Sequence, residues 1–304
     1  MSLDPGVVDE IAAELGISPA FVEKDWYSVQ VLKAIAGHKS NTVETLFAGG
    51  TSLSKGHGLI QRFSEDLDFR CRYIAPGSGN HNKKTRSAYR SEMLGCLHAT
   101  SHIELDEAKV KTASNYIKFP LGYPRRHDVP TSLRPGLAIE FSFTQPRLSP
   151  QCKPIQSLVS RFTHNAPETE IWCLSPIETG ADKLSALTWR TLKRDRSSPS
   201  DDPTMIRHLH DLCALNAVIQ QEQALFVETA NAAFDGDQKT DKRETKEAFY
   251  PSLLAALAQL QNDALYRQEY QQFVAAMSYA DDDAIIGFDR AMTSLKAMIT
   301  LFEV

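Results

Sequence analysis

The chain has 304 residues, 42% of them hydrophobic and 23% charged, with a net charge of −5. That balance excludes a disordered or fibrous chain, and no apolar run approaches the ~18 residues that a membrane span needs. Five cysteines, Cys71, Cys96, Cys152, Cys173 and Cys213, are odd in number and lack CxxC spacing, and the start is acidic. Together these predict reduced thiols, no zinc site and a cytoplasmic protein without a membrane partner.

In chain order, Asp4-Pro5 and Ser18-Pro19 read as N-cap plus first-position proline pairs, each opening a lead-in helix. In the second, Val22, Trp26, Val29, Leu32 and Ile35 recur at spacings of three and four, which predicts a core-facing stripe ending near Gly37. Val43 to Ala48 reads as a buried strand, Leu53 to Ile60 as a helix started by the Gly49-Gly50 turn, and Glu65 to Arg70 as the next strand. Ala75 to Asn82 reads as a loop and Lys83 to Thr100 as a helix. Asn115 to Leu121 and Leu137 to Thr144 are the next predicted strands. In the latter, Ile139, Phe141 and Phe143 share one face, and Ala138, Glu140 and Ser142 the other.

After Pro154 strand-like runs become rare, which predicts a boundary between a sheet-containing domain, 1–153, and a mainly helical domain, 154–304. Ser175-Pro176-Ile177-Glu178 reads as a capping box for the helix carrying Lys183, Leu184, Leu187 and Arg190. Asp202-Pro203 opens the helix of Arg207, His208, Asp211 and Leu212. Asp235 to Lys246 reads as a charge-dense connection, and about Tyr250 to Leu260 and Ala284 to Phe302 as further helices.

The chemistry concentrates in FAGGTSLSKGHGLIQRFSEDLDF, Phe47 to Phe69. Glycines at 49 and 50 let backbone N–H groups approach a phosphate, and the helix start beyond them favours an anion. On the following strand Asp66 and Asp68 project from one face, a pair of hard oxygen donors suited to Mg²⁺ or Mn²⁺. Glu140, a lone acid in an apolar strand, is either a solvated edge residue or a third carboxylate for the metal.

These residues resemble the nucleotidyltransferase-like toxins of the AbiEii/AbiGii type, found in toxin–antitoxin and abortive-infection phage-defence systems. The likeness rests on Gly49, Gly50, Thr51 and Lys55; on Ser64, Asp66 and Asp68; on Asp182-Lys183-Leu184-Ser185-Ala186-Leu187; and on Arg207 with Asp211-Leu212. The lead-in Val22-Glu23-Lys24-Asp25-Trp26 fits as well, and the matches run in order over about residues 18 to 215. His208 departs from the acid common at that position, so no role carries over to it. The C-terminal stretch of about ninety residues has no recognised motif.

The resemblance implies an α+β chain, a nucleotidyltransferase-like mixed β-sheet core flanked by helices with a mainly helical C-terminal domain completing the active-site cleft. It implies transfer of NMP from an NTP to an RNA acceptor, possible acceptors including tRNA, with release of pyrophosphate, and a cognate antitoxin as partner. Asp66, Asp68 and Glu140 would hold the metals in a two-metal displacement. Gly49, Gly50, Thr51, Ser52, Lys55 and Lys183 would bind the nucleotide, and Lys183 would offset charge on the leaving pyrophosphate. Asp211 would orient Lys183 or accept a proton from the acceptor, against the alternative of a simple i, i+4 helix pair with Arg207.

From Arg70 to Arg126 eleven Lys and Arg face four acids, a net of +7 in a chain of −5. This segment is either a solvated surface or a basic rim for a polyanion. It disfavours a cationic drug as acceptor, and leaves protein or small-molecule hydroxyls, or nucleotide binding without turnover, as alternatives to RNA.

Overall fold

In a computed structural model, which describes residues 3–131, 133–241 and 243–303, the chain divides into two units. The first comprises Met1–Gly58 with Phe63–Leu174, the second Leu59–Arg62 with Ser175–Val304.

The first unit opens with α1 (Pro5–Leu15) and α2 (Pro19–Gly37), both capped as the sequence predicts. The Asp4 carboxylate accepts from Gly6 N–H at 2.9 Å and the Ser18 hydroxyl from Ala20 N–H at 3.4 Å. The expected stripe of α2 is buried, but so are Glu23, Lys24, Asp25 and Ser28 on its other side. These polar groups are tolerated because each has partners. Glu23 accepts from Arg126 and His127 N–H, Asp25 accepts from Leu158 N–H at 2.7 Å, and Ser28 donates to the Lys24 carbonyl. Glu23 and Asp25 therefore fasten two distant backbone segments, at 126–127 and at Leu158, to α2.

Strand β1 (Val43–Ala48) runs directly into a short α3 (Gly49–Thr51) and a π-helical turn, Ser52–Gly56. The predicted helix of residues 53–60 is thus shifted: it begins at the glycines themselves and ends at Gly56. Then follow β2 (Asp66–Tyr73), α4 (Gly79–His98), β3 (Glu104–Leu105), β4 (Lys111–Ala113), β5 (Tyr116–Gly122) and β6 (Leu137–Phe143). After them come β7 (Gln151–Ile155), α5 (Leu158–Phe162) and β8 (Thr169–Cys173). The sheet order is β3-β5-β6-β2-β1-β8-β7, with β4 paired to β5; β2 with β6 and β1 with β8 are parallel, the other pairs antiparallel.

One face of this mixed sheet presents Leu67, Phe69, Ile117, Phe119, Ile139 and Phe141 to Trp26, Val29 and Leu32 of α2 and to Tyr89, Met93 and Leu97 of α4. The stacked Phe69 and Phe141 rings, with centroids 5.1 Å apart, tie β2 to β6 across that core. The alternate residues, Asp66, Asp68, Arg70, Glu140, Ser142, Tyr116 and Lys118, are half-buried on the opposite face.

β7 and β8 carry the sheet past residue 154, so the first unit runs to Leu174 rather than ending where the strand pattern thins. Pro154 itself lies in β7, at the sheet edge, where a missing N–H does least harm.

The second unit contains α6 (Pro176–Leu192), α7 (Arg207–Ala214), α8 (Asn216–Gln221), α9 (Gln223–Gln238), α10 (Phe249–Asn262), α11 (Ala264–Met277) and α12 (Phe288–Ile299). Its first helix starts at the predicted proline, but the Ser175 hydroxyl makes no cap bond; the Ser175 carbonyl instead accepts from Thr179 N–H at 2.9 Å. Asp202 does cap the 3-10 turn Pro203–Ile206 that leads into α7. Among the described residues no helix is long and apolar enough to cross a membrane.

Candidate active site

In the first unit the polar face of the sheet gathers the predicted carboxylates. Asp66 and Asp68 alternate with buried Leu67 and Phe69, and the parallel register sets Asp68 directly opposite Glu140 and Asp66 opposite Ala138. On the other side of β6, Lys118 pairs in register with Glu140, and its ammonium reaches the Glu140 carboxylate at 2.5 Å. Tyr116 borders the same group: burial, and then the charges of Glu140, Asp68 and Asp66, push its phenol well above the usual range.

The glycine turn is built against Asp68. Gly49 has φ +72°, and a Cβ placed there would lie 2.0 Å from Asp68 Oδ2. Only glycine allows this backbone to lie so close to that carboxylate. The Thr51 hydroxyl donates to the Asp66 carbonyl at 2.7 Å, tying the turn to the start of β2. Ser52 is buried, its hydroxyl enclosed beside the Cys173 thiol. Neither hydroxyl is presented outward, which leaves the backbone N–H groups of this turn as the donors that could meet an anion. Lys55 is likewise engaged: its ammonium pairs with Asp25 and donates to the Gln156 carbonyl at 3.3 Å.

A basic side chain that the sequence reading passed over stands on Asp66. Arg134 Nη2 donates to Asp66 Oδ2 at 2.8 Å and Nε to Glu65 Oε2 at 3.0 Å. Lys24 completes the cluster, 3.3 Å from Glu65 and donating to the Arg134 carbonyl at 2.9 Å. Burial alone would raise the Glu65 carboxyl, but Lys24 and Arg134 outweigh it and hold it below the usual range.

The second unit holds the other predicted pair. Lys183, on α6, lies 2.7 Å from Asp211 Oδ2, on α7, and both are buried. Arg62 grips the same carboxylate with two bonds, Nε to Oδ1 at 2.7 Å and Nη2 to Oδ2 at 2.6 Å. Burial would raise Asp211, yet Arg62 and Lys183 hold it well below the usual carboxyl range; burial lowers Lys183 despite Asp211. The guanidinium serving Asp211 is therefore that of Arg62. Arg207, one turn before Asp211, donates to the Thr204 carbonyl at 3.1 Å. The signal for Arg62 was present in the sequence, four residues before Asp66 at the end of the glycine-started segment, but nothing local indicates a buried partner 149 residues away.

Among the described residues no set of three or more His, Cys, Asp or Glu side chains is gathered closely enough to enclose a metal ion. The donor chemistry nonetheless fits one. Asp66, Asp68 and Glu140 are hard oxygen donors on one face, and two of them are met by cationic groups, Arg134 and Lys118, that stand in for the positive charge such a cluster requires.

The profile of the nucleotidyl transferase AbiEii toxin family, a type IV toxin–antitoxin system, matches residues 30–294. Ten solved chains match in fold. One is MenT4, a nucleotidyltransferase toxin from Mycobacterium tuberculosis H37Rv, with a TM-score of 0.57, 16% identity and full coverage of both chains. No curated protein matches the sequence. The chain belongs to the AbiEii family of nucleotidyltransferase toxins of type IV toxin–antitoxin systems.

Proposed function

We propose that this nucleotidyltransferase transfers NMP from an NTP to a hydroxyl of RNA, with tRNA the leading acceptor, and releases pyrophosphate in a metal-dependent reaction. The observation that carries this reading is the alignment of Asp66, Asp68 and Glu140 along one sheet face, with the Gly49 backbone packed against Asp68. Asp66, Asp68 and Glu140 would hold Mg²⁺ or Mn²⁺, which when bound supplies Lewis-acid activation at the phosphates and the attacking oxygen.

The chain's own groups do the rest. Backbone N–H groups of Gly49, Gly50 and Thr51 bind phosphate oxygens, while the Thr51 hydroxyl fixes the first residue of β2. Lys183 supplies a cation to the leaving pyrophosphate. Asp211, bound by two cations and held well below the usual carboxyl range, orients Lys183 and is a poor proton acceptor. Lys55 is engaged within the first unit, Ser52 is buried there, and both act as supports of the turn.

RNA is favoured over other acceptors by the basic residues of the first unit. Lys83 and Lys84 on α4, Lys109, Lys111, and Arg125 with Arg126 are all exposed. As members of this family act within toxin–antitoxin pairs, a cognate antitoxin in the same cytoplasm is part of the proposal, as is a role in abortive infection. Incubation with each labelled NTP, Mg²⁺ and total tRNA, ribosomal RNA or protein extract tests it. Label is expected on tRNA, suppressed by EDTA and by Asp66→Asn. Label on protein or small molecules alone would overturn the RNA assignment.

A further inference from the structure

The Arg134 guanidinium occupies the oxygen that the proposed reaction needs. Asp66 Oδ2 accepts from Arg134 Nη2 at 2.8 Å, and Asp66 is one of the carboxylates assigned above to the metal. A divalent ion held at that oxygen would repel a guanidinium held on the same lone pairs. Both cannot keep the same position.

The surroundings of Arg134 are arranged so that its head can leave while its base stays. The backbone is pinned on both sides: Arg134 N–H donates to Glu65 Oε1, and its carbonyl accepts from Lys24 at 2.9 Å. The side chain, by contrast, is 59% exposed, although it bridges two acids. Its Nε bond to Glu65 Oε2, at 3.0 Å, is independent of Asp66. Release of Asp66 therefore leaves a planar donor fork beside the carboxylate, still tethered through Glu65. A triphosphate is the anion such a fork matches, because paired N–H groups bind paired phosphate oxygens.

We propose that Arg134 exchanges partners during nucleotide loading, neutralising Asp66 in the empty enzyme and passing to a phosphate oxygen of the incoming metal-bound NTP. This rests on the assignment of Asp66 to the metal. The exchange keeps adjacent carboxylates from repelling one another when the site is empty, and it couples metal entry to triphosphate capture. Its signature is a pair of effects of opposite sign: removing the guanidinium frees Asp66 for a metal alone but weakens the nucleotide.

The test compares wild type, Arg134→Gln and Arg134→Lys, all full-length, with Asp66→Asn as reference. Mn²⁺ binding without nucleotide is read by electron paramagnetic resonance, and Mg²⁺–NTP binding by calorimetry. Arg134→Gln is expected to bind Mn²⁺ more tightly than wild type, and Mg²⁺–NTP roughly 10- to 100-fold more weakly, the value of a lost charge-assisted bond. Arg134→Lys, which keeps the charge but not the fork, should fall between. Unchanged or weaker Mn²⁺ binding by a folded Arg134→Gln, or unchanged NTP affinity, overturns the exchange. Wild type that binds neither Mn²⁺ nor Mg²⁺–NTP overturns the metal assignment itself, and the exchange with it. If wild type binds NTP but no detectable Mn²⁺, Arg134→Gln must gain Mn²⁺ binding that Asp66→Asn lacks, and failure to do so also overturns the exchange.

Discussion

Asp211→Asn is expected to destabilise the second unit by about 3 to 5 kcal/mol, because it leaves two buried cations without their counter-charge. Arg62 and Lys183 converge on this one carboxylate, which is fully buried. An amide fills the same space but carries no charge, so desolvation of both cations goes uncompensated. Lys183→Met is the informative contrast. Arg62 still satisfies both Asp211 oxygens, so the carboxylate keeps a counter-charge and the stability cost should be smaller than that of Asp211→Asn. Its turnover should fall by roughly 10²- to 10³-fold, the scale for losing one electrostatic stabiliser of the transition state.

Urea unfolding and steady-state rates on the two variants separate these effects. Equal stability losses would contradict the ranking of Arg62 as the principal partner of Asp211. The pH dependence has a fixed sign. The folded-state carboxyl of Asp211 is depressed, so its contribution is complete above the unfolded value of about 3.9 and is lost only as pH falls through the lower folded value. At neutral pH the asparagine penalty should therefore be flat.

Gly49→Ala is expected to slow turnover on the order of 10²-fold while the fold persists. The substituted Cβ would lie 2.0 Å from Asp68 Oδ2 and 2.8 Å from Asp68 Cγ, so either the carboxylate or the turn must move. Alanine at φ +72° adds about 1 to 2 kcal/mol of left-handed strain. A misplacement of about 1 Å at a reacting centre is worth on the order of 10²-fold in rate. Gly58 supplies the control. It has a similar φ of +64°, but nothing lies within 4 Å of its Cβ position. Gly58→Ala should carry the strain without the collision and lose stability of about 1 kcal/mol with its rate retained. Equal rates for the two variants, measured by pyrophosphate release, would refute the close approach of the turn to Asp68.

What the sequence made legible followed from local rules. Alternation placed Asp66 and Asp68 on one face of β2 and Glu140 on the polar face of β6, and proline-led caps located α1, α2 and α6. Glycine spacing located the turn but not its form, because helix onset at Gly49 depends on the approach to Asp68 rather than on propensity. β8 was missed for the same kind of reason: Thr-Glu-Ile-Trp-Cys is short, and its place is set by pairing with β1 and β7.

The partners of the site residues were the least legible part. Arg62 on Asp211, Arg134 on Asp66, Lys118 on Glu140 and Asp25 on Lys55 join positions between 22 and 149 residues apart. No window of sequence contains such pairs. Asp25 shows the consequence, since the Glu-Lys-Asp-Trp segment that supported the family resemblance serves in the structure as a clamp on loops.

The most direct test of nucleotidyl transfer follows the two ends of the triphosphate. With NTP labelled at the α-phosphate, wild type should place label on the tRNA acceptor, one nucleotide per event, and Asp66→Asn should place none. With γ-labelled NTP the acceptor should stay unlabelled and the label appear in pyrophosphate. Transfer of the γ label to the acceptor, or α labelling that survives in Asp66→Asn, would contradict the account.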